Sequence, residues 1–179
     1  MANTQELIYE TARHLFLEND YEKVTINDIC KAAGITKSTF YYHVKSKQDI
    51  VVHYYDQIVN NLTPVLIDLL DAPNAWDQIV TLFTRLIADV QSYGAGFNSQ
   101  VIAISLKENL RTFDMRQELK DIAIKIITKG QEAGEFRNPN KAEKLYEATA
   151  FMFTGYEVMW CVKNGDFPWR EEFLASVEN

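Results

Sequence analysis

Apolar residues recur at helical spacing through most of the chain. Ile8, Ala12, Leu15 and Phe16 stand at i, i+4, i+7 and i+8, one face of a first helix. Asn3, with Glu6 three residues on, reads as its cap, and Asn19-Asp20 ends it, because both residue types tolerate the left-handed conformation. In VTINDICKAAG, Thr25 and Asp28 form a Thr-x-x-Asp start signal ahead of Ile29, Ala32 and Ala33, and Gly34 stops that helix. Thr36 caps a short third helix that ends near His43-Val44. Ser46 with Asp49 starts a fourth, KQDIVVHYYDQIVNNL.

Beyond Pro64 the segments lengthen. NAWDQIVTLFTRLIADVQSY is broken by Gly94 and Gly96 from FNSQVIAISLKENL. DMRQELKDIAIKIITKGQEAGEF, KAEKLYEATAFMFTGYEVMWCVKNG and PWREEFLASVE follow, the last with Pro168 at its start. No alternating strand pattern of useful length, repeat or low-complexity tract interrupts them. The expectation is an all-α chain of roughly nine helices, with a small N-terminal unit and a larger bundle.

Composition narrows the class. Hydrophobic residues make up 47% and charged residues 24%, enough to bury a core without leaving the soluble range. No window of membrane-spanning length is apolar, so no membrane partner is expected. The opening MANTQELIYETARHLF carries Glu6 and Glu10 and lacks a basic start before an apolar run, so it does not read as a signal peptide, and a cytoplasmic protein is expected. Cys30 and Cys161 follow no CxxC spacing and read as buried free thiols.

The net charge is −7, but it is unevenly spread. Residues 29–48 hold Lys31, Lys37, Lys45 and Lys47 and no acid. One basic patch on an acidic body suits a protein that meets a polyanion through one face only. The patch falls on two short helices joined by a glycine turn, the layout of a helix-turn-helix. Thr36, Lys37, Ser38 and Thr39 are short or flexible groups able to reach base edges in a major groove. Ile35, Phe40 and Val44 hold that helix against its neighbour. Tyr41, Tyr42 and His43 lie where they can donate to phosphate. Lys47 adds its charge to a helix N-terminus, a phosphate site. Thr25 and Asn27 open the preceding helix and complete the candidate DNA contacts.

LFLENDYEKVTINDICKAAGITKSTFYYHVKSKQDIV closely resembles the N-terminal DNA-binding domain of the TetR family of bacterial transcriptional repressors. Phe16, Tyr21, Thr25, Ile29, Ala33-Gly34, Thr39, Tyr41, His43 and Lys47 carry the resemblance. Asp20, Cys30 and Val44 depart from it without removing a DNA-contacting group. The resemblance implies a helix-turn-helix domain over 1–46 and a helical effector-binding and dimerisation domain over 47–179. It implies a homodimer on an inverted-repeat double-stranded operator, released by a largely apolar small-molecule effector, with no cofactor.

The same resemblance points to an effector pocket among Phe83, Ile87, Phe97, Gln100, Thr149, Phe153 and Tyr156, although plain core is the competing reading for each. It places Phe151, Gly155, Met159, Val162, Trp169 and Phe173 at the dimer interface. The alternative keeps the DNA-binding unit and gives the C-terminal domain a protein partner instead of a small molecule. No metal-ligand spacing, GxSxG or Gly-rich phosphate loop supports a metal site or an enzyme.

Overall fold

The computed structural model describes residues 3–19, 21–60, 62–108 and 117–178. Among them are ten α-helices: α1 Thr4–Glu18, α2 Ile26–Ala33, α3 Lys37–His43, α4 Lys47–Asn60, α5 Leu62–Asp71, α6 Ala75–Gln91, α7 Gly94–Glu108, α8 Gln117–Glu132, α9 Ala142–Val162 and α10 Trp169–Glu178. A 3-10 turn, Tyr21–Lys23, precedes α2. The chain divides into two compact units, Met1–Asp56 with Tyr93–Thr112, and Gln57–Ser92 with Phe113–Asn179.

The first unit is set up by its caps. The Asn3 side chain accepts from the Gln5 N–H at 3.2 Å, and Ser46 Oγ accepts from the Asp49 N–H at 3.1 Å. Thr25 and Asp28 close a reciprocal capping box at the start of α2. Gly34 ends α2 at φ 66°, a left-handed conformation that a side chain disfavours. Ile8, Ala12 and Phe16 of α1 then meet Ile29, Phe40, Val44, Ile50 and Tyr54 in one core. Burying a side chain such as Phe40 stabilises by roughly 1.5–3 kcal/mol. Phe97, Val101 and Ile104 of α7 complete this core, which is why a segment so far along the chain belongs with the N-terminal helices.

In the second unit Ile79, Leu82, Phe83, Leu86, Ile87 and Val90 form the buried stripe of α6. Phe83 meets Phe153 of α9 and Phe173 of α10 ring to ring, and Leu119, Ala123 and Ile126 are buried on α8, which packs on α6 and α9, as are Trp160 of α9 and Trp169 of α10. The α6 N-terminus is closed from a distance: the Glu135 carboxylate accepts from the N–H groups of Ala75 and Trp76 at 2.8 and 3.3 Å.

Several expectations change. Helix α5 is an addition, because Pro64 lies in its first turn, where no backbone N–H is required. Helix α7 starts at Gly94 and carries Gly96 within it, so the two glycines begin the helix as well as ending α6. Asn19 ends α1 in an extended conformation, its side chain and backbone N–H both donating to the Leu15 carbonyl, with no left-handed turn at that residue. Asp20, the other half of that expected stop, lies outside the described residues.

Candidate nucleic-acid interface

Helix α3 has one fully buried residue, Phe40, and packs on α2 and α1 through it. The Thr36 hydroxyl caps its start, accepting from the Thr39 N–H at 3.1 Å and lying 2.9 Å from the Thr39 hydroxyl. That pairing draws Thr39, which is half-buried, toward the helix start and leaves Thr36 exposed. Lys37 with Tyr41, and Ser38 with Tyr42, then stand one turn apart on the outer face, and all four are exposed. Tyr42 is 85% exposed. No acid lies on α3.

The flanking candidates take different places. Thr25 and Asn27 are exposed at the start of α2. Thr25 Oγ1 donates to the Asp28 carboxylate at 2.6 Å, and this bond, with the Thr25 backbone, holds the Asp28 carboxyl below the usual range. His43 is half-buried, its ring edge-on to Tyr42 at 4.9 Å and its carbonyl accepting from the Gln5 side chain.

Lys47 turns inward. Its Nζ donates to the carbonyls of Tyr21 and Val24 at 2.7 and 2.9 Å and sits 3.8 Å from the centroid of the Tyr21 ring. Burial lowers its pKa, partly offset by Glu22, while burial pushes the Tyr21 phenol up to about 12. Two of its three N–H donors therefore serve the chain itself, an arrangement that no local spacing signals. Lys45, between α3 and α4, is exposed.

The residues expected at an effector pocket are divided between the two units. Phe83 lies 5.9 Å from Phe153 and 5.0 Å from Phe173, ring to ring, and Ile87 is buried beside them on α6. Tyr156 shares a 2.6 Å hydrogen bond with Ser176. Thr149 spends its hydroxyl on the Leu145 carbonyl of its own helix. Phe97 belongs instead to the core of the first unit. Gln100 lines a groove of about 430 Å³ in that unit, with Lys47, Gln48 and Lys107.

The expected dimer residues divide as well. Phe151, Gly155, Met159 and Val162 fall at i, i+4, i+8 and i+11 on α9 and are exposed. Trp169 and Phe173 are 0% exposed within the single chain, because α10 folds back onto α9 and α6, so they have no surface left for a partner.

A model of bacterial regulatory proteins of the tetR family matches residues 8–54, which span α1 to α3 and the first half of α4. The Transposon Tn10 TetC protein of Escherichia coli is 30% identical over 85 residues, covering 48% of this chain and 43% of that protein. The HTH-type transcriptional regulator EthR of Mycobacterium tuberculosis is 25% identical over 113 residues, covering 59% and 52%. The chain thus spans about half the length of these two curated relatives. A solved structure of FadR from Thermus thermophilus, a repressor in complex with lauroyl-CoA, superposes with a TM-score of 0.70 at 19% identity, covering 97% of this chain and 91% of that one. That likeness is one of fold.

Proposed function

We propose that this chain, a member of the tetR family of bacterial regulatory proteins, is a sequence-specific double-stranded DNA-binding transcriptional regulator, a repressor released from its operator by a small-molecule effector. The observation that carries the reading is the outer face of α3. Lys37, Ser38, Tyr41 and Tyr42 stand exposed on a helix anchored by Phe40, with no acid among them. Lys37 and Ser38 reach bases, while Thr25, Asn27, Tyr41, Tyr42 and His43 position the unit on phosphates. A footprint of the purified protein on the DNA upstream of its own gene tests this. Protection of an inverted repeat, weakening steeply as salt rises, is expected; no protection at low salt overturns the reading.

The dimer is supported by α9. A side chain built on Gly155 meets nothing within 4 Å among the described residues, so their packing gives no reason for a glycine there. A glycine inside a helix costs roughly 0.5–1 kcal/mol against alanine. Close approach of a second copy along Phe151, Gly155, Met159 and Val162 accounts for it, and a two-fold dimer matches an inverted repeat.

The effector is assigned to the second unit, around Phe83, Ile87, Phe153 and Tyr156. The FadR of the same fold is in complex with lauroyl-CoA, a molecule with a long apolar tail, which supports a largely apolar effector here. No described helix is long and apolar enough to cross a membrane, which suits action on DNA in the cytoplasm. A protein partner in place of the effector is favoured by one observation, the exposure of Leu66, Ile67 and Leu70 on α5.

A further inference from the structure

The buried face of α9 holds one carboxyl. Glu157 is 1% exposed, and it lies one turn from Phe153 on one side and Trp160 on the other. Both of those rings touch Trp169 of α10, at 5.1 and 5.8 Å between centroids, so Glu157 belongs to the face that α10 covers. Phe173 and Phe83 extend the same cluster. Within it, Glu157 Oε1 and Trp169 Nε1 are buried with no hydrogen-bond partner among the described residues.

Such a pair calls for a physical reason. An unpartnered carboxyl in an apolar interior is destabilising, and an apolar side chain of like volume is more stable there. Its carboxyl is pushed up to about 7 by burial, and no lysine or arginine among the described residues offsets the cost. Surrounding rings present electron-rich faces, which attract a cation once it is desolvated. The charge missing from the site is thus positive, and its neighbours Phe153, Trp160 and Trp169 are all aromatic.

We propose that the Glu157 cluster between α9 and α10 is the head-group site of the effector, and that it takes an organic cation, a protonated amine on an apolar body. The proposal rests on the effector reading above and specifies its ligand. The amine donates to Glu157 Oε1 and lies against the faces of Trp160, Trp169 and Phe153, while its body packs along Phe83 and Phe173. An effector with an anionic head meets an acid there and, among the described residues, no base.

The test uses the full chain without DNA, near neutral pH. It is titrated with 4-phenylbutylamine and with 4-phenylbutyrate, which share a body and differ in charge, and binding is read by calorimetry. The amine is expected to bind at least about tenfold more tightly. Glu157→Gln is expected to remove that preference while far-UV circular dichroism reports an unchanged helical chain. Should that variant not fold, Glu157→Met serves the same comparison. Equal or tighter binding of the carboxylate, no binding of the amine, or an undiminished preference in the variant would each overturn the proposal. Because no DNA is present, these outcomes stand apart from the footprint that tests the regulator reading.

Discussion

Lys47 Nζ lies 2.7 Å from the carbonyl oxygen of Tyr21, twenty-six residues earlier, and over that residue's own ring. The contact ties the first turn of α4 to the turn that leads into α2. It adds a second donor to the Tyr21 carbonyl, which already accepts from the Val24 N–H at 3.3 Å, supplies one to the Val24 carbonyl, and fixes the entry to the helix-turn-helix from behind.

Lys47→Met is therefore expected to cost stability as well as DNA affinity. Hydrogen bonds to a charged group contribute about 1.5–3 kcal/mol each, and solvent screens the two that this half-buried ammonium makes, so a loss of about 2 kcal/mol in urea unfolding is the expected outcome. Operator and non-operator DNA should lose affinity about equally, since the group reads no base. Unchanged unfolding would remove the structural role.

Lys37 and Tyr42 share the outer face of α3 but should fail differently. Lys37→Ala is expected to relax base preference at one half-site position by roughly 1–3 kcal/mol. Tyr42→Phe should weaken binding to every sequence by about 1 kcal/mol, as loss of one phosphate hydrogen bond does. Fluorescence anisotropy against a panel of single-base operator variants, at one salt concentration, separates the two patterns.

Phe151 is 77% exposed in the single chain, so Phe151→Glu removes no internal packing. Light scattering should show a shift from dimer to monomer, with operator affinity falling in step. Circular dichroism should stay unchanged, because an exposed substitution alters chain stability by only about ±0.5 kcal/mol. A variant that remains dimeric would move the interface elsewhere.

Glu157 gives stability a pH dependence of unusual sign. Burial raises its folded-state pKa from the ordinary 4.5 to about 7. Between those values the unfolded chain releases this proton and the folded chain keeps it, so stability falls as pH rises and is level above about 7. The shift corresponds to roughly 3 kcal/mol between the ends of that window. Glu157→Gln should remove the slope, gaining more over the parent protein at pH 8 than near pH 4.5 in urea unfolding at a fixed protein concentration. Parallel pH profiles for parent and variant would exclude an ionising Glu157 in the core.

Local features of the first unit were legible because their causes are local. The Thr25–Asp28 box, the Thr36 cap and the Gly34 stop each act within four residues, so spacing alone announces them. The stripes of α1 and α6 were legible for the same reason. Glu157 carried a faint signal: it falls in phase with Tyr146, Phe153 and Trp160, an acid on an otherwise apolar stripe.

By itself, then, the sequence determined an all-helical chain, its caps and stops, and the basic, aromatic outer face of α3. It could not determine what each apolar stripe would meet. A helix buries its stripe against whichever surface fits, near or far along the chain, and spacing holds no record of that choice. Only the tertiary structure turned Lys47 inward to Tyr21 and Val24. It also gave α7 to the core of the first unit. It buried Trp169 and Phe173 within one chain, left Phe151 and Val162 bare, and closed an unpaired carboxyl behind them.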